Sequence, residues 1–158
     1  MYQKNQSREL YIVSNQVPDK IQNLYTGKAG EHFTCFDILN QGYNATLVDT
    51  HFYDILLNLN PSTFIKVQVK TSNYSRGKSK QSIRYVIARK SGKRIQADYD
   101  SDMLDIFAFV SPKLKKVAYI PFCEIHTTSK VTIQCEAFDN YTRSEERRVG
   151  KECRSRWS

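Results

Sequence analysis

The chain has 158 residues, a formal net charge of +8, 40% hydrophobic residues and 12% aromatics. That length suits one domain with a real core, and the composition excludes a disordered chain. No apolar run approaches the ~20 residues that span a bilayer, and the start, MYQKNQSREL, lacks an apolar signal core. A cytoplasmic protein with no membrane partner is expected. The four cysteines, Cys35, Cys123, Cys135 and Cys153, show no CxxC spacing, which argues against zinc and for reduced thiols.

In chain order, VPDKIQNLY (17–25) reads as a short helical lead-in with Pro18 near its first turn. From Gly27 the spacing predicts a helix, with Ala29, Phe33, Phe36 and Asn40 as one stripe and His32, Cys35 and Leu39 beside it. Gly42 is its expected C-cap. YNATLVD (43–49) and HFYDILLNL (51–59) read as the first two strands, and NPS (60–62) as a turn. FIKVQVKT (64–71) is the third strand. SNYSRGKSKQS (72–82) is a polar loop, IRYVIARK (83–90) a strand and SGKR a turn. MLDIFAFV (103–110), KVAYIPF (116–122) and KVTIQCEAF (130–138) complete the strands. The order predicts an α/β fold (an α+β mixed sheet): a helix, three strands, then further strands around one central sheet.

The end of the chain, RSEERRVGKECRSRWS (143–158), resembles along its whole length the translation of a short-read sequencing adapter. It carries six Lys/Arg and three Glu, and without it the net charge falls to +5. The expected organisation is therefore a lead-in over 1–26, a domain over 27–142 and an artefactual segment over 143–158.

Charge is unevenly placed. Between Ile55 and Ala97 there is no Asp or Glu but there are ten Lys/Arg. A single-sign field of that length suits a polyanion, with Lys66, Arg76, Lys78, Lys80 and Arg84 as candidate phosphate contacts. DYDSD (98–102) fails as a calcium loop, because Met103 and Phe109 stand where that loop needs Gly and Glu. Asp105, which follows, suits a structural hydrogen-bonding role better than a catalytic one. No Walker A, GxSxG or paired-histidine motif is present.

The third strand poses a sharper question. Alternation puts Ile65, Val67, Val69 and Thr71 on one face and Phe64, Lys66, Gln68 and Lys70 on the other. A lysine on a buried face requires an anion. If strands two and three pair across the turn at Asn60 and Pro61, Asp54 arrives beside Gln68 and Lys70. Glu31 opens the helix 23 residues before Asp54.

This ordered set, GKAGE at 27–31, Tyr53-Asp54 and QVKT at 68–71, resembles the PD-(D/E)XK nuclease superfamily. It is most similar to the branch with Gln in place of the third acid, which includes group I intron homing endonucleases. A Tyr followed by LDIFAFV and VAYIPF resembles the close of that domain. The resemblance implies a metal-dependent DNA endonuclease of homing or restriction type. Asp54, Gln68, Lys70 and Glu31 would be catalytic, and Mg²⁺ (Mn²⁺ substituting) would be held by Asp54, Gln68, the Val69 carbonyl and Glu31. Double-stranded DNA would be the partner, and a homodimer or tetramer the assembly. Two departures stand out: Tyr53 rather than Pro precedes Asp54, and Gln68 is neutral. A Holliday-junction-resolvase-like nuclease and an inactive DNA-binding module of the same fold remain as alternatives.

Overall fold

The computed structural model describes residues 19–48, 50–73, 75–76, 81–91, 95–97, 99–126 and 129–143. One continuous helix, α1 (Asp19–Asn40), replaces the expected lead-in and separate helix. No proline interrupts residues 19–40, and Asp19 in the first turn complements the helix dipole. Gly42 ends it as predicted, with φ of 88°. Its N–H donates to Leu39 O at 3.0 Å and that of Tyr43 to Ile38 O at 3.2 Å, a Schellman closure.

The helix does not bury the expected stripe. Gly30, Thr34, Cys35 and Ile38 face inward, whereas Ala29 and Asn40 are exposed and Phe36 is 64% exposed. Phe33 alone of that stripe packs on the core. The contact face is made of small residues that let the helix backbone approach the sheet, and hydrophobicity spacing does not register Gly or Thr. Thr34 adds a back-bond from its hydroxyl to Gly30 O at 2.9 Å.

The strands are β1 (Asn44–Leu47), β2 (Ile55–Asn60), β3 (Thr63–Thr71), β4 (Ser75–Arg76), β5 (Ser82–Val86), β6 (Arg89–Ser91), β7 (Ile95–Ala97), β8 (Ile106–Ser111), β9 (Lys116–Pro121) and β10 (Lys130–Gln134). The central sheet runs β1-β2-β3-β8-β9. β3 and β8 are parallel; the other neighbours are antiparallel. This is the mixed α/β architecture expected from the sequence. β10-β5-β4 form a second hydrogen-bonded sheet, and among the described residues β6 pairs with β7 alone.

Several strand boundaries differ from expectation: β8 starts at Ile106 rather than at 103, and β4 falls within the expected 72–82 loop. Residues 51–54 turn instead of extending, because Thr50 Oγ1 accepts from the N–H groups of Phe52 (3.3 Å) and Tyr53 (3.0 Å). Residues 83–90 divide into β5 and β6. After β10 the chain coils through a 3-10 turn into α2 (Phe138–Arg143), whose Phe138 is fully buried.

The sheet has two cores. On the α1 side, Val67, Val69, Ala108, Val110 and Val117 pack with Cys35 and Ile38. On the other side, Phe107 and Phe109 pack with Ile83, Tyr85, Ile133 and Phe138. Each such aromatic contributes about 1.5–3 kcal/mol on burial. The parallel register sets Gln68 opposite Phe107 and Lys70 opposite Phe109. The polar residues of β3 thus emerge on the aromatic side, under the second sheet. No helix among the described residues is long and apolar enough to cross a membrane.

Candidate active site

Asp54 sits where the Thr50 turn hands over to β2. Its N–H donates to Val67 O at 2.9 Å, continuing the ladder in which Ile55 faces Val67. That register brings its carboxylate over β3. The Val69 N–H donates to Asp54 Oδ2 at 2.8 Å, and Gln68 Nε2 donates to the same oxygen. Gln68 is only 7% exposed. Its other amide atom, Oε1, accepts from the Tyr99 hydroxyl at 3.2 Å. Lys70 Nζ donates to that hydroxyl at 3.0 Å and stands 5.4 Å from the centre of its ring. The ring stacks edge-on against Phe107, with centroids 5.1 Å apart. Asp54, Gln68, Tyr99 and Lys70 therefore form one hydrogen-bonded chain.

Glu31 approaches from α1. Its carboxylate takes Lys28 Nζ at 2.9 Å, and it is the less exposed of the two. α1 comes this close because Gly30 has no Cβ: one there would lie 1.8 Å from Thr71 Oγ1. The electrostatics register the convergence. Burial pushes Asp54 up to about 6; the Val69 N–H opposes the rise, the Glu31 charge adds to it, and Lys70 and Lys28 oppose it.

The PD-(D/E)XK endonuclease family model matches residues 21–150. The chain belongs to that family. The bacterial homing endonuclease I-Ssp6803I has a similar structure, with a TM-score of 0.60 at 18% identity over 70% of this chain and 76% of that one. The Holliday junction resolvase Hjc of the archaeal hyperthermophile Archaeoglobus fulgidus aligns at a TM-score of 0.46 and 13% identity, over 76% of this chain and 93% of that one. No curated protein sequence matches the chain.

PD-(D/E)XK nucleases generally use divalent metal ions. Among the described residues no three His, Cys, Asp or Glu side chains form a ready-made metal cluster. The donors present are oxygens: the Asp54 carboxylate, the Glu31 carboxylate that acts on it, the Gln68 amide and the Val69 carbonyl, 3.4 Å from Gln68 Nε2. Few carboxylates and oxygen-only ligands suit Mg²⁺, which retains waters. A buried carboxylate whose pKa is raised partly by a second one is a site short of positive charge. The set fits on one condition. Gln68 now turns its nitrogen toward Asp54, so a role as oxygen ligand requires the amide to rotate. Tyr99 can accept from Nε2 in that orientation, since a hydroxyl both donates and accepts.

The candidate DNA contacts are placed unequally. Lys66 Nζ donates to Asp102 O at 2.6 Å, so its ammonium is tied to that loop and not to the Asp54 cluster. Arg84 lines a cleft that begins at Lys70. The side chain of Arg76 and all of Lys78 and Lys80 lie outside the described residues. Asp105 takes the structural role expected of it: Oδ2 accepts the Lys66 N–H at 2.8 Å, its N–H donates to Lys66 O at 3.0 Å, and its carbonyl accepts the Phe122 N–H at 2.8 Å. It ties β3, β8 and the end of β9 together. The sequence reading counted Tyr99 in the resemblance but gave it no role. Its place just before LDIFAFV was the available signal, but a lone tyrosine in a polar loop shows no partner until β3 and β8 pair in parallel.

Proposed function

We propose that the chain is a Mg²⁺-dependent DNA endonuclease of homing or restriction type. Mn²⁺ substitutes, and the chain acts in the cytoplasm on double-stranded DNA as a homodimer or tetramer. The observation that carries the reading is the Asp54–Gln68–Tyr99–Lys70 chain at the end of β3, with Glu31 beside it. A divalent cation at Asp54 and Glu31 would polarise the phosphate and supply a more acidic water. Asp54 binds and orients as the carboxylate, the form that its burial disfavours. Lys70, held by Tyr99 and its ring, is placed to orient the attacking water and to stabilise charge on the phosphate. Lys70 stands opposite Phe109 in the β3–β8 register, on the aromatic face of the sheet.

The inactive DNA-binding module has one observation in its favour: the Gln68 nitrogen, not its oxygen, faces Asp54. Incubating the full chain with a diverse plasmid pool in Mg²⁺, Mn²⁺ or chelator decides between them. Metal-dependent cuts that vanish in Lys70→Ala support the nuclease. DNA binding without cleavage in any metal sinks it in favour of the binder, and preference for branched over linear duplex would move the reading to a resolvase.

A further inference from the structure

α1 carries apolar residues on both of its sides. Gly30, Thr34, Cys35 and Ile38 face the sheet. On the opposite side Ile21, Leu24, Tyr25, Phe36 and Leu39 are exposed, Tyr25 at 57% and Phe36 at 64%. They are not scattered. At 3.6 residues per turn, Ile21, Tyr25, Phe36 and Leu39 fall within about 60° of one another, and with Lys28 and His32 they form one seam roughly 27 Å long. A fully buried aromatic covers about 150–250 Å², so these five half-open side chains leave on the order of 500 Å² of surface outside, near the upper end of what a soluble monomer shows. Two such faces together cover on the order of 1,000 Å², where specific protein interfaces begin.

The seam reads alike in both directions about residue 30. Ile21 lies nine residues before it and Leu39 nine after, Tyr25 five before and Phe36 six after, Lys28 two before and His32 two after. An isologous two-fold contact needs this pattern, in which residue i meets j and j meets i. Charge agrees. Residues 19–40 hold three acids and two lysines, a net charge of −1 in a chain of +8, so two basic chains meet here without like-charge repulsion. Lys28 at the centre brings little charge, because the Glu31 carboxylate takes its Nζ at 2.9 Å. We propose that this outer face of α1 is the contact between two copies of the chain, packed antiparallel. Ile21 of each copy meets Leu39 of the other, Tyr25 meets Phe36, Leu24 flanks them, and Lys28 and His32 lie near the axis. The opposed helix dipoles favour the same orientation. The inference rests on the homodimer or tetramer proposed above and deepens it by naming the surface. α1 also carries Glu31, so pairing would hold the element that brings Glu31 to Asp54.

Sedimentation equilibrium of the full chain without DNA, in chelator, across a concentration series reads the contact. The wild type is expected to form a dimer or a pair of dimers. Phe36→Glu should raise the dissociation constant of the pair about thirtyfold or more, since the two-fold axis loses the contact twice. Tyr25→Lys should do the same. Both residues are exposed, so Tm and circular dichroism should stay those of the wild type. Mixing the two variants should restore association, because the antiparallel register sets the new acid against the new lysine and leaves the second Tyr25–Phe36 contact intact. Leu59→Glu, at an exposed apolar position on β2, should leave association unchanged. If the wild type associates and both α1 variants associate equally well, the seam is overturned and the oligomer stands. If the mixture stays apart, the antiparallel pairing is overturned. A wild type that is monomeric at every concentration yet cuts DNA overturns the seam and the oligomer together and leaves the nuclease reading standing.

Discussion

Gly30 and Thr71 touch where α1 crosses the end of β3, and a Cβ on Gly30 would lie 1.8 Å from Thr71 Oγ1. This contact sets how closely Glu31 approaches Asp54. Gly30→Ala should gain a little helix propensity but force the helix outward, for a net loss of about 1–3 kcal/mol. Thr71→Ala in the same chain should recover part of it, since the Thr71 Cβ stays 2.9 Å from the added carbon. Thermal unfolding of the two single variants and the double checks this; additive losses would mean the two residues do not share the contact.

Asp54 carries a pH signature. Its pKa in the fold, about 6, lies above the 3.8 of an ordinary aspartate, so its contribution to stability is full below about pH 4 and is lost as pH rises through 6. Asp54→Asn should therefore be more stable than wild type in chelator at pH 8, by on the order of 2 kcal/mol, with no gain at pH 4. Metal affinity of the wild type should fall about tenfold per unit below pH 6. Denaturant unfolding at the two pH values and a metal titration across them measure both; a pH-independent difference would remove Asp54 from the electrostatic argument.

Much of the geometry around Asp54 was legible in the sequence, and the reason is local. Asp54, Gln68 and Lys70 are joined by one short hairpin, and a turn at Pro61 with strict alternation in β3 fixes which side chains meet. Two things were not legible. The inward face of α1 is Gly30, Thr34 and Cys35, residues that hydrophobicity ranks below Phe36, although Phe36 is the exposed one. And Tyr99 reaches Gln68 across 31 residues, through the parallel pairing of β3 with β8, which spacing cannot encode.

Asp105 separates structure from chemistry. It holds the Lys66 N–H and joins three strands, but takes no part in the Asp54–Lys70 chain. Asp105→Ala should cost about 1–3 kcal/mol by leaving the Lys66 N–H unpaired. The folded fraction should cut DNA at the wild-type rate. A large loss of rate at full folding would place Asp105 in the reaction after all.

Tyr99→Phe keeps the ring on Phe107 and under Lys70 but deletes the hydroxyl that joins Lys70 to Gln68. Cleavage should slow about ten- to a hundredfold through misplacement of the lysine, while duplex affinity in chelator stays the same. The pH–rate profile should also shift, which a purely structural tyrosine would not cause. Unchanged rate and profile would show that Lys70 needs no such anchor.

Gln68→Glu tests the amide itself. Without metal, the new carboxylate cannot donate to Asp54 and instead repels it inside a buried site, so the chain in chelator should lose about 2–3 kcal/mol. Mg²⁺ should then restore more stability than it gives the wild type, because a cation binding only the folded state adds its binding free energy. Tm in chelator and across a Mg²⁺ series reads both effects without relying on cleavage. If Mg²⁺ shifts the variant and the wild type equally, Gln68 lies outside the metal's reach, and Asp54 with Glu31 must hold the ion without it.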